Sequence, residues 1–361
     1  MARWAVALLA LWLAAPLEAA DAPSQPVEPA APVEPTTERI TESIAIGQQI
    51  GKIRWYGSGH LWGNVMRGRG GAQLRELSGT PWFLSAEARG EQEQRLAYDL
   101  RRWGGTGGVG RALNETTDLL ATYRLDSYKV FNTSPTVDPA FRTVAGRTAV
   151  TALGLGLQHD SRDDPWYPTT GYKAKVGGEV AVEGLGGDYD FVRLDSDVAG
   201  YVTPFRDRDS WLADVTFVER LKVGWVEEFD DNSQVPFFER YFAGGTKTVR
   251  GHRSRWLTPR GLEDQFVGGE ILLVNNVEAR MPIFADQFDR RLSAAVFFDA
   301  GRAFRKFSDI GDFGYGVGGG LRYVVHLWKL AGVARADYGV SLDNEGDDST
   351  SRLHLSFGVP F

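Results

Sequence analysis

The 361-residue chain contains no cysteine. This absence excludes disulfides, thiolate metal sites and a cysteine nucleophile. Helical spacing of apolar residues is scarce, and after the first 20 residues no apolar run approaches the roughly 20 residues of a membrane-spanning helix. The mean hydropathy of −0.26 and the formal charge of −7 are typical of a soluble protein. Because no basic patch is interleaved with base-stacking aromatics, we expect no nucleic-acid partner.

The N-terminus has the pattern of a secretory signal. Arg3 precedes the apolar run Trp4–Ala15, which is too short to cross a bilayer, and small residues follow it. We therefore predict a signal peptide at residues 1–20. An uncleaved anchor is the alternative.

A proline-rich stretch follows the signal. A proline recurs at every third position from Pro23 to Pro35, which matches the three-residue turn of polyproline II. We predict an extended periplasmic tether at 21–39, with a ligand for a proline-binding partner as the alternative. The remaining residues, 40–361, form one compositional block and are predicted to be a single domain.

Alternation with a period of two dominates this block. In Phe191–Val202, Leu194 and Val198 lie on one face, and Arg193 and Asp195 lie on the other. The same alternation recurs in ILLVNNVEARM, GVGGGLRYV, LAGVARADYGV and the C-terminal LHLSFGVPF. The chain is therefore predicted to be all-β.

Two all-β architectures fit this alternation, a soluble sandwich and a transmembrane antiparallel β-barrel. The strands are longer than usual globular strands, a secretory signal is present, and no helical segment is long enough to cover an exposed sheet. These features favour the barrel, because lipid satisfies no open sheet edge. Tryptophans near strand ends are expected in aromatic girdles, namely Trp82, Trp103, Trp211, Trp225, Trp256 and Trp328.

One segment departs from the alternation. In WLADVTFVERLKVGW, Glu219 falls on the same face as Phe217 and Leu221. Either a β-bulge restores the phase, or this part of the strand projects beyond the membrane.

The connections alternate in length, as in barrels with short inner turns and longer outer loops. ALNETTD, TPFRDRDS and VVHLWKL are short, whereas NTSPTVDPAFRTVAG, LDNEGDDSTSR and the stretch from Trp225 to Gln265 are long. The acidic run Asp343–Asp348 is interpreted as a solvated loop tip. A calcium site is the alternative, although the spacing is not that of a known calcium loop.

Several segments, in order, resemble the bacterial surface-antigen barrel of the BamA/TamA superfamily of outer-membrane assembly factors. RYFAGGTKTVRGHR resembles that family's long-loop motif, and HDSRDDPWYPTTGY is similar to its Asp-Arg-x-x-x-x-Pro-x-x-Gly turn. NNVEARMPIF and AVFFDAGRAF resemble the strands after the loop, and GTPWFLSAEARGE and AYDLRRWGGTGGVGRAL resemble the middle strands. Phe357 and the terminal Phe361 fit the family's C-terminal assembly signal. The resemblance covers residues 79–361.

The resemblance implies a long loop that folds into the barrel lumen before the last five strands. Its loop motif maps onto Gly244, Gly245, Val249 and Gly251, which surround an arginine. That arginine is Arg250, and its implied lumenal partners are Glu278 and Asp299. Alternation independently places both carboxylates on the inward face. We interpret this cluster as a device that fixes the loop.

The sequence departs from the family in two ways. Assembly factors of this family carry periplasmic POTRA domains before the barrel, and here the tether occupies that place, so a form without POTRA domains is expected. The matched segments give about 12–14 strands, with 16 possible, and residues 40–78 are expected to add only one or two short hairpins.

Three functions remain open at this point. The first is a non-enzymatic outer-membrane barrel that inserts, assembles or scaffolds other membrane proteins, the second is a transport pore, and the third is an outer-membrane hydrolase. No Gly-x-Ser-x-Gly motif is present, and the five histidines form no Ser/His/Asp pattern, so we predict no enzyme and no catalytic residue. His159, Asp160 and Asp163 are interpreted as part of a polar turn rather than as a metal site.

The predicted location sets the expected partners. We expect an outer-membrane protein without a cofactor or metal. Its partners would be outer-membrane lipid and the barrel assembly machinery that inserts it. A homo-oligomer or a separate periplasmic partner is the further possibility.

Overall fold

The computed structural model describes residues 43–358, apart from gaps at 51, 63–64, 96, 134–135, 207, 209–210, 230–233, 284–291, 328–329 and 344–350. The predicted signal peptide, the tether, Trp328 and Phe361 lie outside the described residues. The boundaries predicted at 1–20, 21–39 and 40–361 stay predictions.

Over the described residues, fifteen strands form one sheet, in which each strand pairs antiparallel with its neighbours along the chain. They are β1 Ser43–Ile50, β2 Ile53–Trp62, β3 Val65–Leu74, β4 Trp82–Gln94, β5 Asp99–Ala112, β6 Thr117–Phe131, β7 Gly146–Asp160, β8 Gly171–Ala181, β9 Phe191–Val202, β10 Thr216–Glu228, β11 Ile271–Pro282, β12 Leu292–Phe304, β13 Gly314–Leu327, β14 Leu330–Ser341 and β15 Ser351–Gly358. The only α-helix of the described residues is the single turn α1, Pro139–Arg142.

The side chains of each strand alternate between two environments. In β9, Leu194 and Val202 are exposed on the outer face, whereas Arg193 is partly buried on the inner face. In β11, Asn276, Glu278 and Arg280 are all buried on the inner face. Apolar-out and polar-in alternation is the pattern of a transmembrane barrel, so the predicted fold class is confirmed. Over the described residues, every helix is too short or too polar to cross a bilayer.

The first and last strands meet at a seam. Because fifteen strands pair antiparallel in chain order, β1 and β15 run in the same direction. The curled sheet brings β1 beside β14 and β15. No hydrogen-bonded ladder joins β1 to β15 among the described residues. We call this junction the seam.

The strand count exceeds the range favoured from the sequence. Fifteen strands lie one above 12–14 and one below the 16 kept as possible. Strands β4 to β15 number twelve, and residues 43–74 add β1, β2 and β3 as two consecutive hairpins, in agreement with the one or two short hairpins expected there. Glycines at positions 68, 70 and 71 interrupt the side-chain alternation of β3, so its strand pattern is weak in the sequence.

Of the two explanations offered for Glu219, the β-bulge is excluded, and the projection beyond the membrane stays a prediction. The pairing of β10 with β9 and β11 runs past Glu219 without interruption, so no bulge is present. The side chain lies on the outer face, where Asn275 donates a hydrogen bond from Nδ2 to Oε1 at 3.1 Å. A neighbouring polar side chain therefore partners Glu219.

The connections named above as short and those named as long lie at opposite ends of the barrel. Because strand direction alternates, the turns after β5, β9 and β13 share one end, and the connections after β6, β10 and β14 share the other. This grouping is the one predicted from connection length. We call the end that carries the long β10–β11 connection the outer mouth.

Candidate functional site: the inward segment and its lumenal contacts

The connection between β10 and β11 is buried against the inner wall of the barrel. We call its described residues, 234–270, the inward segment. Ala243, Val249 and Leu257 are completely buried, and they form one apolar cluster with the wall residues Leu272 and Val274. A segment buried in this way occupies the lumen instead of lying over the mouth.

Glycines of the loop motif give this segment its path. Gly244, Gly245 and Gly251 have φ angles of 103°, 92° and 96°, a region that residues with a Cβ rarely adopt. A Cβ on Gly244 would lie 2.4 Å from the carbonyl oxygen of Arg253. The motif glycines therefore permit the tight turns on either side of Arg250.

Arg250 reaches the inner wall and meets two carboxylates there. Its Nε donates to Asp299 Oδ2 at 2.7 Å, and its Nη2 donates to Asp299 Oδ1 at 2.8 Å. Its backbone N–H donates to the same Oδ2 at 2.9 Å. Its Nη1 donates to Glu278 Oε2 at 2.9 Å. The structure thus brings together Arg250, Glu278 and Asp299 through a bidentate, charge-assisted contact.

Arg250 makes two further contacts that were not predicted from the sequence. Nη1 also lies 3.3 Å from Asp337 Oδ2, and the guanidinium stacks 3.5 Å from the centroid of the Phe297 ring. Burial by itself would lower the pKa of Arg250, but Asp299, Glu278 and Asp337 outweigh it and raise that pKa above its usual value. Arg250 is therefore a permanent cation in a buried anionic socket.

The wall that receives Arg250 is made of glycine at the points of closest approach. A Cβ on Gly316 of β13 would lie 1.8 Å from the carbonyl oxygen of Arg250. A Cβ on Gly339 of β14 would lie 2.6 Å from the backbone nitrogen of Gly251. These two positions let the backbone of the inward segment touch the backbone of the barrel.

A second buried ionic cluster holds the start of the inward segment. Glu239 Oε1 accepts hydrogen bonds from Arg124 at 2.8 Å and from the Tyr128 hydroxyl at 2.7 Å. Arg193 forms an ion pair with Glu239 at 3.3 Å. Burial by itself would raise the pKa of Glu239, but Arg124, Arg193 and Arg102 outweigh it and hold that pKa well below its usual value.

A third ionic contact holds the far side of the segment. Arg255 donates to Glu93 Oε2 at 2.9 Å and to the Tyr98 hydroxyl at 3.0 Å. Its φ of 67° is unusual for a residue with a Cβ, and such strain persists only where surrounding contacts hold it. The three clusters attach the segment to β4, β6, β9, β11, β12 and β14.

An apolar layer closes the outer mouth above these clusters. Phe141 of α1 packs on Tyr98 and Phe237, with ring centroids 4.8 Å and 4.6 Å apart. All three rings are buried, and they belong to one cluster that includes Tyr128 and Phe191. Two connections, one carrying α1 and one the inward segment, therefore meet over the lumen.

The position of Trp256 contradicts one prediction made from the sequence. It was expected in an aromatic girdle, but it is buried in the inward segment, where it stacks against Phe266 and Arg260. The prediction was wrong because a tryptophan before a strand is equally compatible with packing inside a lumenal loop. Trp82, by contrast, is exposed at the start of β4, and Trp211 is exposed in the short 3-10 turn that precedes β10.

The remaining candidate residues have structural surroundings. Phe357 is partly buried on β15. In the polar turn after β7, Arg162 forms a bidentate pair with Asp160, and Asp163 caps the backbone of Thr169. Asp343 contacts His252 Nε2 at 3.1 Å, and the rest of the run to Asp348 lies outside the described residues. Over the part of the chain that the structure describes, no group of three or more potential ligands is arranged to hold a metal.

The chain shares its sequence pattern with a known family of barrels. The Omp85 superfamily domain matches residues 68–361. Outer membrane protein assembly factor BamA of Nitratidesulfovibrio vulgaris is 26% identical over 245 residues, which cover 66% of this chain and 29% of that protein. BamA of Neorickettsia risticii is 25% identical over 272 residues, covering 73% and 34%. The chain thus spans about a third of the length of these curated relatives.

Solved structures share the fold. BamA from Haemophilus ducreyi lacking POTRA domains 1–3 matches with a TM-score of 0.67 at 15% identity, covering 88% of this chain and 70% of that one. CdiB from Acinetobacter baumannii matches with a TM-score of 0.54 at 12% identity, covering 88% and 58%. The predicted resemblance to the BamA/TamA barrels is confirmed, while the lack of POTRA domains stays a prediction. The chain belongs to the Omp85 superfamily and is an outer-membrane β-barrel.

Proposed function

We propose that this barrel assists the insertion or assembly of other outer-membrane proteins, and that it acts at its outer wall and seam instead of through its lumen. The observation that carries the proposal is the closed lumen beside an unpaired junction. The inward segment fills the outer part of the lumen, and β1 and β15 lie side by side with no ladder between their described residues. The similarity to relatives named as outer-membrane assembly factors also supports an assembly function.

The seam places two strand edges beside lipid. An edge strand presents unpaired N–H and C=O groups, which lipid cannot satisfy. A weak junction in a membrane is therefore a place where an incoming strand gains hydrogen bonds. It also disturbs the packing of the adjacent lipid, which lowers the barrier to insertion of a client barrel.

A folding assay tests this proposal. Proteoliposomes containing the full chain receive a small urea-unfolded outer-membrane barrel, and its folding is followed by heat-modifiable electrophoretic mobility. We expect faster folding than in empty liposomes and in liposomes that hold a porin at the same protein density. Equal folding rates in all three preparations would overturn the assembly function.

A transport pore is the second candidate, because part of the lumen is wet. Lys175 and Lys247 are exposed to solvent although they belong to the inner wall and to the inward segment. Planar-bilayer conductance separates the candidates. Steady large openings of the intact chain support the pore, and a closed barrel supports action at the wall.

A further inference from the structure

We propose that the barrel binds one small monovalent anion, of the size and charge of chloride, in a buried cavity next to the Arg250 cluster. The cavity has a volume of about 10 Å³. It is lined by residues of four wall strands, β11 to β14, and of the turn after β7. The wall strands contribute Arg280, Ser293, Arg322 and Arg335 together with the apolar Val324 and Val333. A cavity of this volume holds about one water-sized particle.

Strand register explains why three guanidinium groups meet there. Arg322 of β13 pairs directly with Arg335 of β14, and it pairs with Ser293 of β12 on its other side. Arg280 of β11 lies nearby on the same inner face. Arg280 and Arg322 repel Arg335, while the carboxylates of Glu278 and Asp337 attract it less strongly. Like charges directly opposite each other destabilise a sheet, and the neighbouring carboxylates of Glu278 and Asp337 offset only part of this repulsion. An anion between the guanidinium groups would offset the rest.

The polar lining consists of groups that can donate hydrogen bonds. Guanidinium groups only donate, and the hydroxyls of Ser293 and Tyr167 and the indole N–H of Trp166 can donate as well. Among the described residues that line the cavity, none carries a carboxylate. A guest that only accepts hydrogen bonds and carries negative charge fits this lining better than water, which accepts few bonds and is neutral.

The buried hydroxyl of Ser293 independently supports an ion in the cavity. Its side chain is 0% exposed, and its hydroxyl oxygen has no hydrogen-bond partner in the described structure. A buried hydroxyl without a partner costs roughly 1–3 kcal/mol, so native proteins seldom leave one unsatisfied. An ion in the cavity would accept the bond from this hydroxyl.

The anion would complete the ionic network that receives Arg250. Arg280 and Arg322 both donate to Glu278, at 2.7 Å and 3.0 Å, and Glu278 also binds Arg250. The anion would therefore contact Arg280 and Arg322, and these two arginines bind the same carboxylate, Glu278, that binds Arg250. Its chemical class is a monovalent halide-sized anion, because the cavity has no room for phosphate or sulfate.

The test compares halide with a bulky anion. The purified full-length barrel in detergent is heated in sodium chloride and in sodium gluconate of equal concentration, and the unfolding midpoint is followed by the loss of β-sheet signal. We expect the midpoint to rise with chloride concentration, by about 2 °C or more at saturation. Arg335→Gln should lose this chloride dependence, whereas Arg142→Gln, on the exposed side of α1, should keep it.

A second measurement locates the ion in the wild-type protein and does not depend on the folding of a variant. Crystals grown in sodium bromide should give an anomalous peak between Ser293 and Arg335. Together, this peak and the loss of chloride dependence in Arg335→Gln support the proposal. Identical midpoints in both salts, chloride dependence unchanged in Arg335→Gln, or no bromide in the cavity would each overturn it.

Discussion

At the scale of single residues, Arg250 is the point where the inward segment is fixed to the wall. Removing one partner of a buried ion pair leaves the other charge uncompensated, which costs about 3–5 kcal/mol at a dry site. We expect Arg250→Gln to release the segment while the barrel stays folded. Limited proteolysis of the folded barrel should then cut within residues 237–260 faster than in the wild type.

Arg142→Gln is the matched control for this prediction. Arg142 is an exposed arginine on α1, in the other connection that covers the outer mouth. The same chemical change there should leave cleavage of residues 237–260 at the wild-type rate. If Arg250→Gln also shows the wild-type rate, Arg250 does not hold the segment.

Glu239 predicts a dependence on pH at the start of the segment. Its pKa is lowered in the folded state, so its contribution to stability is fully present above the ordinary value of 4.5 and is lost as the pH falls below it. We expect the unfolding midpoint of Glu239→Gln to lie below that of the wild type at pH 7. The gap should shrink at pH 3, and a gap equal at both pH values would contradict this assignment.

Some of these residue contacts can be predicted from the sequence, and others cannot. Alternation places Glu278 and Asp299 on the inner face, and the resemblance to a loop motif supplies Arg250 as their partner. Neither source could supply the contact of Arg255 with Glu93, which are 162 positions apart, because strand alternation gives the face of a residue but not its partner across the lumen.

At the scale of elements, β13 and β14 form a glycine surface against which the inward segment docks. A Cβ at Gly316 would overlap the carbonyl oxygen of Arg250, so the backbone of one element must move. We expect Gly316→Ala to increase hydrogen exchange across residues 244–252. Gly200→Ala on β9, where no heavy atom lies within 4 Å of the added Cβ, should leave that exchange unchanged.

Equal exchange in Gly316→Ala and Gly200→Ala would show that the segment does not need the close approach to β13. Both substitutions add one methyl group to a strand of the same sheet. A difference in exchange between them therefore reports the local contact with the inward segment. A general loss of barrel stability would instead raise exchange in the strands as well.

The elements differ in how clearly the sequence predicts them. Strands such as β9 and β11 carry aliphatic and charged residues on opposite faces, so their alternation is plain. In β3, VMRGRGGAQL, three glycines remove side chains that would mark the faces, and the strand was counted only as part of a possible hairpin. The single turn α1 has no periodicity to detect, although it supplies Phe141 to the apolar layer at the outer mouth.

At the scale of the whole molecule, the barrel has a closed outer mouth and a wet, cationic surface beneath it. Arg69 of β3, Lys175 of β8 and Lys247 of the inward segment are exposed to solvent. Although the side chain of Lys247 touches solvent inside the lumen, the protein that surrounds it, together with Arg67 and Arg69, lowers its pKa. These cations therefore share one space. Rings of Lys and Arg select anions in open pores, so a lumen opened by mutation should prefer anions.

The sequence predicts the overall architecture of the barrel better than it predicts the seam. The resemblance implied a lumenal loop before the last five strands, and the inward segment lies between β10 and β11. The seam depends on the count and direction of all strands, and an error of one strand reverses the relation between the first and the last. Local alternation cannot supply that number where a strand is rich in glycine.

The most direct test of a lumen closed by the inward segment is planar-bilayer conductance. The intact chain is compared with a variant in which a Gly-Ser linker replaces residues 237–260, and with the double variant Arg250→Gln/Glu239→Gln. We predict that the intact chain shows no steady current, while both variants open stable, anion-preferring channels. Steady large openings of the intact chain, equal to those of the linker variant, would contradict the account.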